Sequence, residues 1–242
     1  MNDIKIIYED NDIIIINKPS KVTVNRADTT KNEPTVQDFL DKKYPLENSL
    51  DKDTDFYKRH GIVHRIDKET SGILVVAKNI ESFINLQAQF KDRKVSKTYI
   101  ALVHGHVEPE EGDISVPVGR LPWNRKRFGV LAGGKEATTH YKVLQKFDKP
   151  FTLLELSPKT GRTHQIRVHL KYFNHPIFGD FLYAGRKTSR DDRKILERFF
   201  LHAKSISFFH PKDKREVTFE AELPHELQTT IDYVKIDFNQ SS

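Results

Sequence analysis

The chain has 242 residues, 37% of them hydrophobic and 31% charged, which is enough apolar material for one substantial core or two small ones sharing a cleft. Forty Lys and Arg against 34 Asp and Glu leave a net charge of +6, a balance that favours encounter with a polyanion without demanding one. With no cysteine, disulfides, thiolate catalysis and thiolate zinc sites are excluded, and no stretch is apolar enough for a secretory signal or a membrane span, so a cytoplasmic protein with no membrane partner is expected.

Taken in chain order, Ile4 to Tyr8 and Ile13 to Ile16 are β-rich runs separated by Asp10, Asn11 and Asp12, which is hairpin turn chemistry, and Lys18, Pro19 and Ser20 end the second strand. Thr35 is placed to cap a helix with Val36, Phe39 and Leu40 on one face, and the charged stretch from Glu47 to Arg59 is expected to be a poorly ordered, solvated loop. Ile73 to Ala77 is a buried strand, after which Asn79 caps an amphipathic helix carrying Phe83, Leu86 and Phe90. Tyr99 to Val103 is a further strand, followed by an acidic turn from Glu108 to Asp113 and a basic segment from Arg120 to Arg127. Tyr141 to Phe147 pairs with Phe151 to Leu156 across Asp148 to Pro150. Helices are expected at His164 to Phe173 and at Asp192 to Phe200, then a hairpin of Ile206 to Phe209 with Val217 to Ala221, and a last helix from His225. Strands in hairpin order with helices between them favour an α+β fold, with a mixed, mainly antiparallel sheet, over a doubly wound parallel one.

Two stretches concentrate polar chemistry beside apolar structure. The first is His64-Arg65-Ile66-Asp67, leading through Thr70, Ser71 and Gly72 into the strand at Ile73. A carboxylate on a loop just ahead of a buried strand sits where a scaffold can hold it rigidly toward a cleft, so Asp67 is a candidate nucleophile; the same acid can also serve a tight turn by accepting hydrogen bonds from Thr70 and Ser71. The second is Gly161 to Leu170, in which His164, Arg167 and Leu170 share a helical face beside Ile166 and His169. Arg167, emerging from a packed face, needs an anion, either a carboxylate or phosphate ligand or a structural acid elsewhere in the fold. His164 and His169 are five apart, the wrong spacing for zinc on one helical face, and His104 and His106 flank Gly105 with no ligand cluster nearby, so no metal site is expected. Arg120, Trp123, Arg125, Lys126, Arg127 and Phe128 interleave cations with aromatics, as in a loop that grips phosphates and stacks on bases, or one that is a solvated turn with Trp123 folded onto the core.

The run His64-Arg65-Ile66-Asp67-Lys68-Glu69-Thr70-Ser71-Gly72-Ile73-Leu74-Val75 resembles the catalytic motif of RNA pseudouridine synthases of the RluA type, with Ile66 where Leu is usual. Gly161 to Leu170 is similar to the family's arginine motif, Lys97-Thr98-Tyr99 to its tyrosine motif and Lys18-Pro19-Ser20 to its N-terminal one, and the likeness runs from about Ile13 to Pro224. Lys21 and Asn25 depart from the glycine and histidine common at those places. The resemblance implies one catalytic domain over 1–242 with the pseudouridine synthase fold, a sheet flanked by helices around a central RNA-binding cleft, and no accessory RNA-binding domain ahead of it. It implies Asp67, Tyr99 and Arg167 as catalytic residues, with Arg167 pairing Asp67, and it places Arg65 against the RNA of a flipped-out uridine. His64, Arg120, Arg125, Arg127, Arg162, His164 and Ile166 complete the expected RNA-binding set. The implied reaction is an isomerisation that needs no cofactor, on a ribosomal or transfer RNA stem-loop, by a monomer. Two competitors are a catalytically silent RNA-binding protein and a metal-dependent nuclease, and the second lacks a carboxylate cluster near these motifs.

Overall fold

Apolar runs of different kinds shape the chain, and a computed structural model describes residues 4–26, 33–46, 54–124 and 127–235. In chain order the first elements are β1 (Lys5–Glu9), β2 (Ile13–Lys18), α1 (Val36–Lys43), α2 (Asp55–Arg59), β3 (Ser71–Ala77), α3 (Ile80–Lys91), β4 (Ser96–His104), β5 (Glu111–Ser115) and β6 (Val118–Arg120). There follow β7 (Phe128–Val130), β8 (Thr138–Lys146), β9 (Phe151–Pro158), α4 (Gln165–Tyr172), α5 (Arg186–Asp192), β10 (Leu201–Phe209), β11 (Glu216–Glu220) and α6 (His225–Lys235). The fold is α+β, as the hairpin order implied. Two compact units divide the chain, one of residues 1–96 and 203–222, the other of residues 97–202 and 223–242.

In the first unit β1, β2, β3 and β10 lie side by side, with β11 on the far edge of β10. Asp10 makes the β1–β2 turn, its Oδ1 accepting the N–H groups of Asp12 and Ile13, each at 2.8 Å. The unbroken Ile13–Ile16 run is buried along its whole length, as is every residue of β3, because both strands are covered on both faces. They pair antiparallel with Ile15 opposite Val75. Thr35 caps α1 with a full capping box to Asp38, and Asn79 caps α3 by accepting the Ser82 N–H at 2.8 Å. Ile13, Ile15, Val75, Phe83, Leu86, Ile206 and Phe208 form its core.

The second unit carries the order β4-β9-β8-β5, each neighbouring pair antiparallel. β9 alternates half-buried and buried residues, so Thr152, Leu154 and Leu156 face inward, and Leu102, Ile166, Leu170, Phe178, Phe200, Leu227 and Ile231 close over them. β6 and β7 make a separate two-stranded hairpin, with Arg120 opposite Phe128.

Two expectations are corrected. Asp55–Arg59 is a short helix with Phe56 buried, where a loop was expected, while 47–53 lie outside the described residues. The helix expected at Asp192 to Phe200 lies upstream, at Arg186–Asp192. Leu196, Phe199 and Phe200 have helical spacing and are buried, yet the fully buried Arg198 donates from Nη1 to the carbonyls of Phe199 and Leu201. Those carbonyls turn toward the guanidinium instead of continuing a helical ladder.

Candidate active site

Asp67, with His64 and Arg65, lies in the first unit; Tyr99, Arg120, Arg127, Arg162, His164, Ile166 and Arg167 lie in the second. Arg125 lies outside the described residues.

Asp67 is half-buried on the loop that runs from Val63 into β3, and its carbonyl accepts the Thr70 N–H at 3.1 Å, which closes the turn before the strand. The loop is pinned from both sides. His64 Nε2 accepts the Val75 N–H at 3.0 Å, and its ring stacks on Phe90 with 4.8 Å between centroids. Lys18, with no solvent exposure, donates its Nζ to the carbonyls of Pro19, Val22 and Lys68 at 2.8, 2.8 and 3.1 Å. One ammonium therefore ties the start of the chain to the residue after Asp67, a role that the expectation of Lys18 as a strand end did not contain. Gly72 has φ of +114°, and a Cβ there would lie 2.2 Å from the Ala203 carbonyl oxygen, so the strand following Asp67 begins in a place only glycine fits. Arg65 is exposed and Ile66 buried, so the residue before Asp67 anchors the loop and the one before that faces water.

In the second unit Tyr99 stands near the start of β4, opposite Leu156 of β9 and packed against the core. Lys97 shares its face of the strand, two residues earlier, and burial holds its amine below the ordinary lysine range. Helix α4 is fixed by Gln165, whose Oε1 accepts from the Arg162 N–H and Thr160 hydroxyl while its Nε2 reaches the Thr138 carbonyl and Thr139 hydroxyl, all within 2.7–3.0 Å. His164 precedes the helix with φ of +56° and so does not share a helical face with Arg167. Every residue from Gln165 to Leu170 is buried, and Ile166, expected at the RNA surface, is part of the core. Arg162 donates from Nε to the Glu136 carbonyl at 3.1 Å.

Arg167 is held by an acid of its own unit. Its Nε and Nη2 meet the two oxygens of Asp180 at 2.7 and 2.9 Å, and Asp180 has no solvent exposure. The guanidinium lies between two rings, 4.9 Å from the centroid of Tyr183 and 4.4 Å from that of Phe199. Asp180 and Tyr183 were not expected as site residues; Gly179-Asp180 is a point of likeness to the family, but nothing in its spacing ties it to Arg167. The basic hairpin β6–β7 has Arg120 exposed, with its guanidinium 4.9 Å above the Phe128 ring, and Trp123 at the tip is 76% exposed. The alternative in which Trp123 folds onto the core is thereby set aside.

Among the described residues the donor set most like a metal site is Asp10, Asp12 and His210. Its oxygens already serve protein donors: Asp10 accepts from His210 Nε2 and the Tyr8 hydroxyl, and Asp12 from Asn79 and Ser82. That cluster is a structural bracket on the β1–β2 turn. His104, half-buried at the end of β4, meets Asp192 at 2.9 Å and stacks on Phe178, while the exposed His106 meets the Phe147 carbonyl at 2.8 Å.

The family described as RNA pseudouridylate synthase matches residues 12–172, a span that includes both loops just described and Tyr99. The chain belongs to that family. An uncharacterised RNA pseudouridine synthase of Bacillus subtilis is 38% identical to this synthase, over 96% of this chain and 73% of that one. Ribosomal large subunit pseudouridine synthase D of Nitrosomonas europaea is also 38% identical, over 96% and 65%. The structure of human RNA pseudouridylate synthase domain containing 1 superposes with a TM-score of 0.72 at 29% identity, covering 92% of this synthase and 84% of the human chain. The protein is thus an RNA-modifying isomerase of α+β fold. No helix among its described residues is long and apolar enough to cross a membrane.

Proposed function

We propose that this synthase isomerises specific uridines in structured RNA, ribosomal or transfer, in the cytoplasm and as a monomer, with Asp67 as the catalytic carboxylate. The observation that carries the reading is the setting of Asp67: a half-buried acid on a short loop whose flanks are pinned by His64 and Lys18 and whose exit is a glycine-only position. Such a carboxylate is rigid and still reachable, which is what a reacting group requires. Ribosomal RNA gains support from the Nitrosomonas relative, which is named a ribosomal large subunit pseudouridine synthase.

The reaction breaks the bond from ribose C1′ to N1 of uracil and makes one from C1′ to C5. The proton lost from C5 is balanced by one gained at N1, so no redox carrier or phosphoryl donor enters. In this reading Asp67 acts as its carboxylate on the ribose or the base, Tyr99 stacks on the uracil and assists the proton's departure, and Arg167 keeps Asp67 ionised, an opposite charge lowering a carboxylate pKa by roughly 1–3 units. The uridine leaves its stack at a cost of about a few kcal/mol, offset by stacking and by backbone contacts from Arg65, Arg120, Arg127 and Arg162. Ile166 contributes shape from within the core, and His64 and His164 act as supports of the loops that carry these cations.

Release of tritium from uridine labelled at C5 tests the assignment. Asp67→Asn is expected to bind RNA nearly as the parent does and to release no tritium; a tenth of the normal rate in that variant rejects Asp67. Mapping pseudouridine in RNA from cells with and without the gene identifies the substrate.

A further inference from the structure

The side chain that the motifs leave out is Tyr183, and it touches three separate pieces of the second unit. Its ring lies under the Arg167 guanidinium, 4.9 Å from centroid to carbon. Its N–H donates at 3.2 Å to Asp180 Oδ1, the oxygen that also receives Arg167 Nη2 at 2.9 Å. Its hydroxyl accepts the Phe128 N–H of β7 at 3.2 Å and lies 2.9 Å from His164 Nδ1. Because the Phe128 N–H can only donate, the phenol oxygen is the acceptor there, and the same hydroxyl lies within hydrogen-bond distance of the His164 ring. The His164 ring in turn stands edge-on to both Phe128 and Tyr183, at 5.5 and 5.8 Å. A hydroxyl that bridges two different elements is a latch: it joins the loop end of the β6–β7 hairpin to the guanidinium at the centre of α4.

That same end of the hairpin is where the unit meets solvent with charge and an aromatic surface. Arg120 is exposed above the Phe128 ring, and Trp123 is 76% exposed. The residue whose main chain Tyr183 holds is therefore the one on which Arg120 rests. We propose that Tyr183 is a positioning residue: its hydroxyl sets the hairpin for RNA while its ring and main chain set Arg167, so that one side chain aligns the RNA-gripping arm with the catalytic cation. This inference rests on the reading of the chain as an RNA uridine isomerase.

Tyr183→Phe deletes only the hydroxyl and keeps the ring under Arg167, so the two halves of the role separate. The expected result is a rise in KM for RNA of about fivefold, from the loss of the hydroxyl's contacts to Phe128 and His164, with kcat within about twofold. Tyr183→Leu, which also removes the ring, is expected to lower kcat at least tenfold beyond that. A double-mutant cycle adds the readout that a merely structural tyrosine would not move. If the hydroxyl works through the hairpin, Tyr183→Phe and Arg120→Ala each weaken RNA binding, and together they weaken it by clearly less than the product of their separate effects. Unchanged KM in Tyr183→Phe, or strictly multiplicative effects in the cycle, overturns the proposal. Failure of the parent chain to convert uridine in any RNA rejects the isomerase reading instead, and the binding cycle, read by RNA affinity alone, still judges the latch.

Discussion

Asp67 and Arg167 are held in opposite ways. The acid rides half-buried on a loop, and the groups that fix it act on its neighbours: His64 on the strand after it, Lys18 on the carbonyl beside it. The cation is sunk in a helix, pressed between two rings and bound through two of its nitrogens by a carboxylate with no exposure. In the proposed mechanism, a group that must reach a substrate has its rigidity supplied through the main chain of its loop. A group that acts through a field can have its own atoms tied down.

The comparison is sharpest in a pair of substitutions. Asp67→Asn is expected to lower turnover by at least about a thousandfold while changing unfolding free energy by less than about 1 kcal/mol, since the side chain is half-buried and the substitution keeps its size and shape. Asp180→Asn removes the charge of the carboxylate that binds the buried Arg167 through two nitrogens and is expected to cost about 3–5 kcal/mol in urea denaturation. Equal stability losses in the two variants would break the distinction. Next in size, Lys18→Met leaves three carbonyls without their donor and should cost about 2–3 kcal/mol, with kcat falling and RNA affinity held; a variant as stable and as active as the parent would show that the loop does not depend on that ammonium.

Smaller effects bear on the hairpin and the core of the second unit. Arg120→Ala and Arg127→Ala are each expected to reduce the slope of log affinity against log salt by roughly one, and an unchanged slope for both removes the hairpin from the RNA contact. His169 is fully buried, and burial lowers its pKa from the ordinary 6.5 more than its bond to the Val116 carbonyl raises it. The folded state then takes up its proton later than the unfolded chain does. This group's contribution to stability is complete above pH 6.5 and is lost as pH falls below it; His169→Asn should flatten that dependence between pH 7.5 and 5.5.

Much of this was legible in the residues alone. Asp10 and Asn79 announce a turn and a cap because their side chains bond to main chain two or three residues away, and the β2 and β3 runs announce burial because no polar residue interrupts them. Asp67 was legible for the same local reason, as an acid set between a turn and a buried strand. What was not legible depends on partners far along the chain. Lys18 takes its meaning from Lys68, fifty residues on. Arg198, which falls inside the expected helix, is buried and donates to the carbonyls of Phe199 and Leu201, so 199–201 do not form the helix their spacing suggests. Tyr183 and Asp180 become site residues only because the fold returns the segment after α4 to the face of Arg167.

Trp123 is the only tryptophan of the chain, and it stands in water at the tip of the β6–β7 hairpin. Indole emission from this protein is consequently a private signal of one loop: global denaturation should leave it almost where it was, and the arrival of RNA on the hairpin should quench it. A spectroscopic label that other enzymes need engineering to acquire is already in place where this one is expected to touch its substrate.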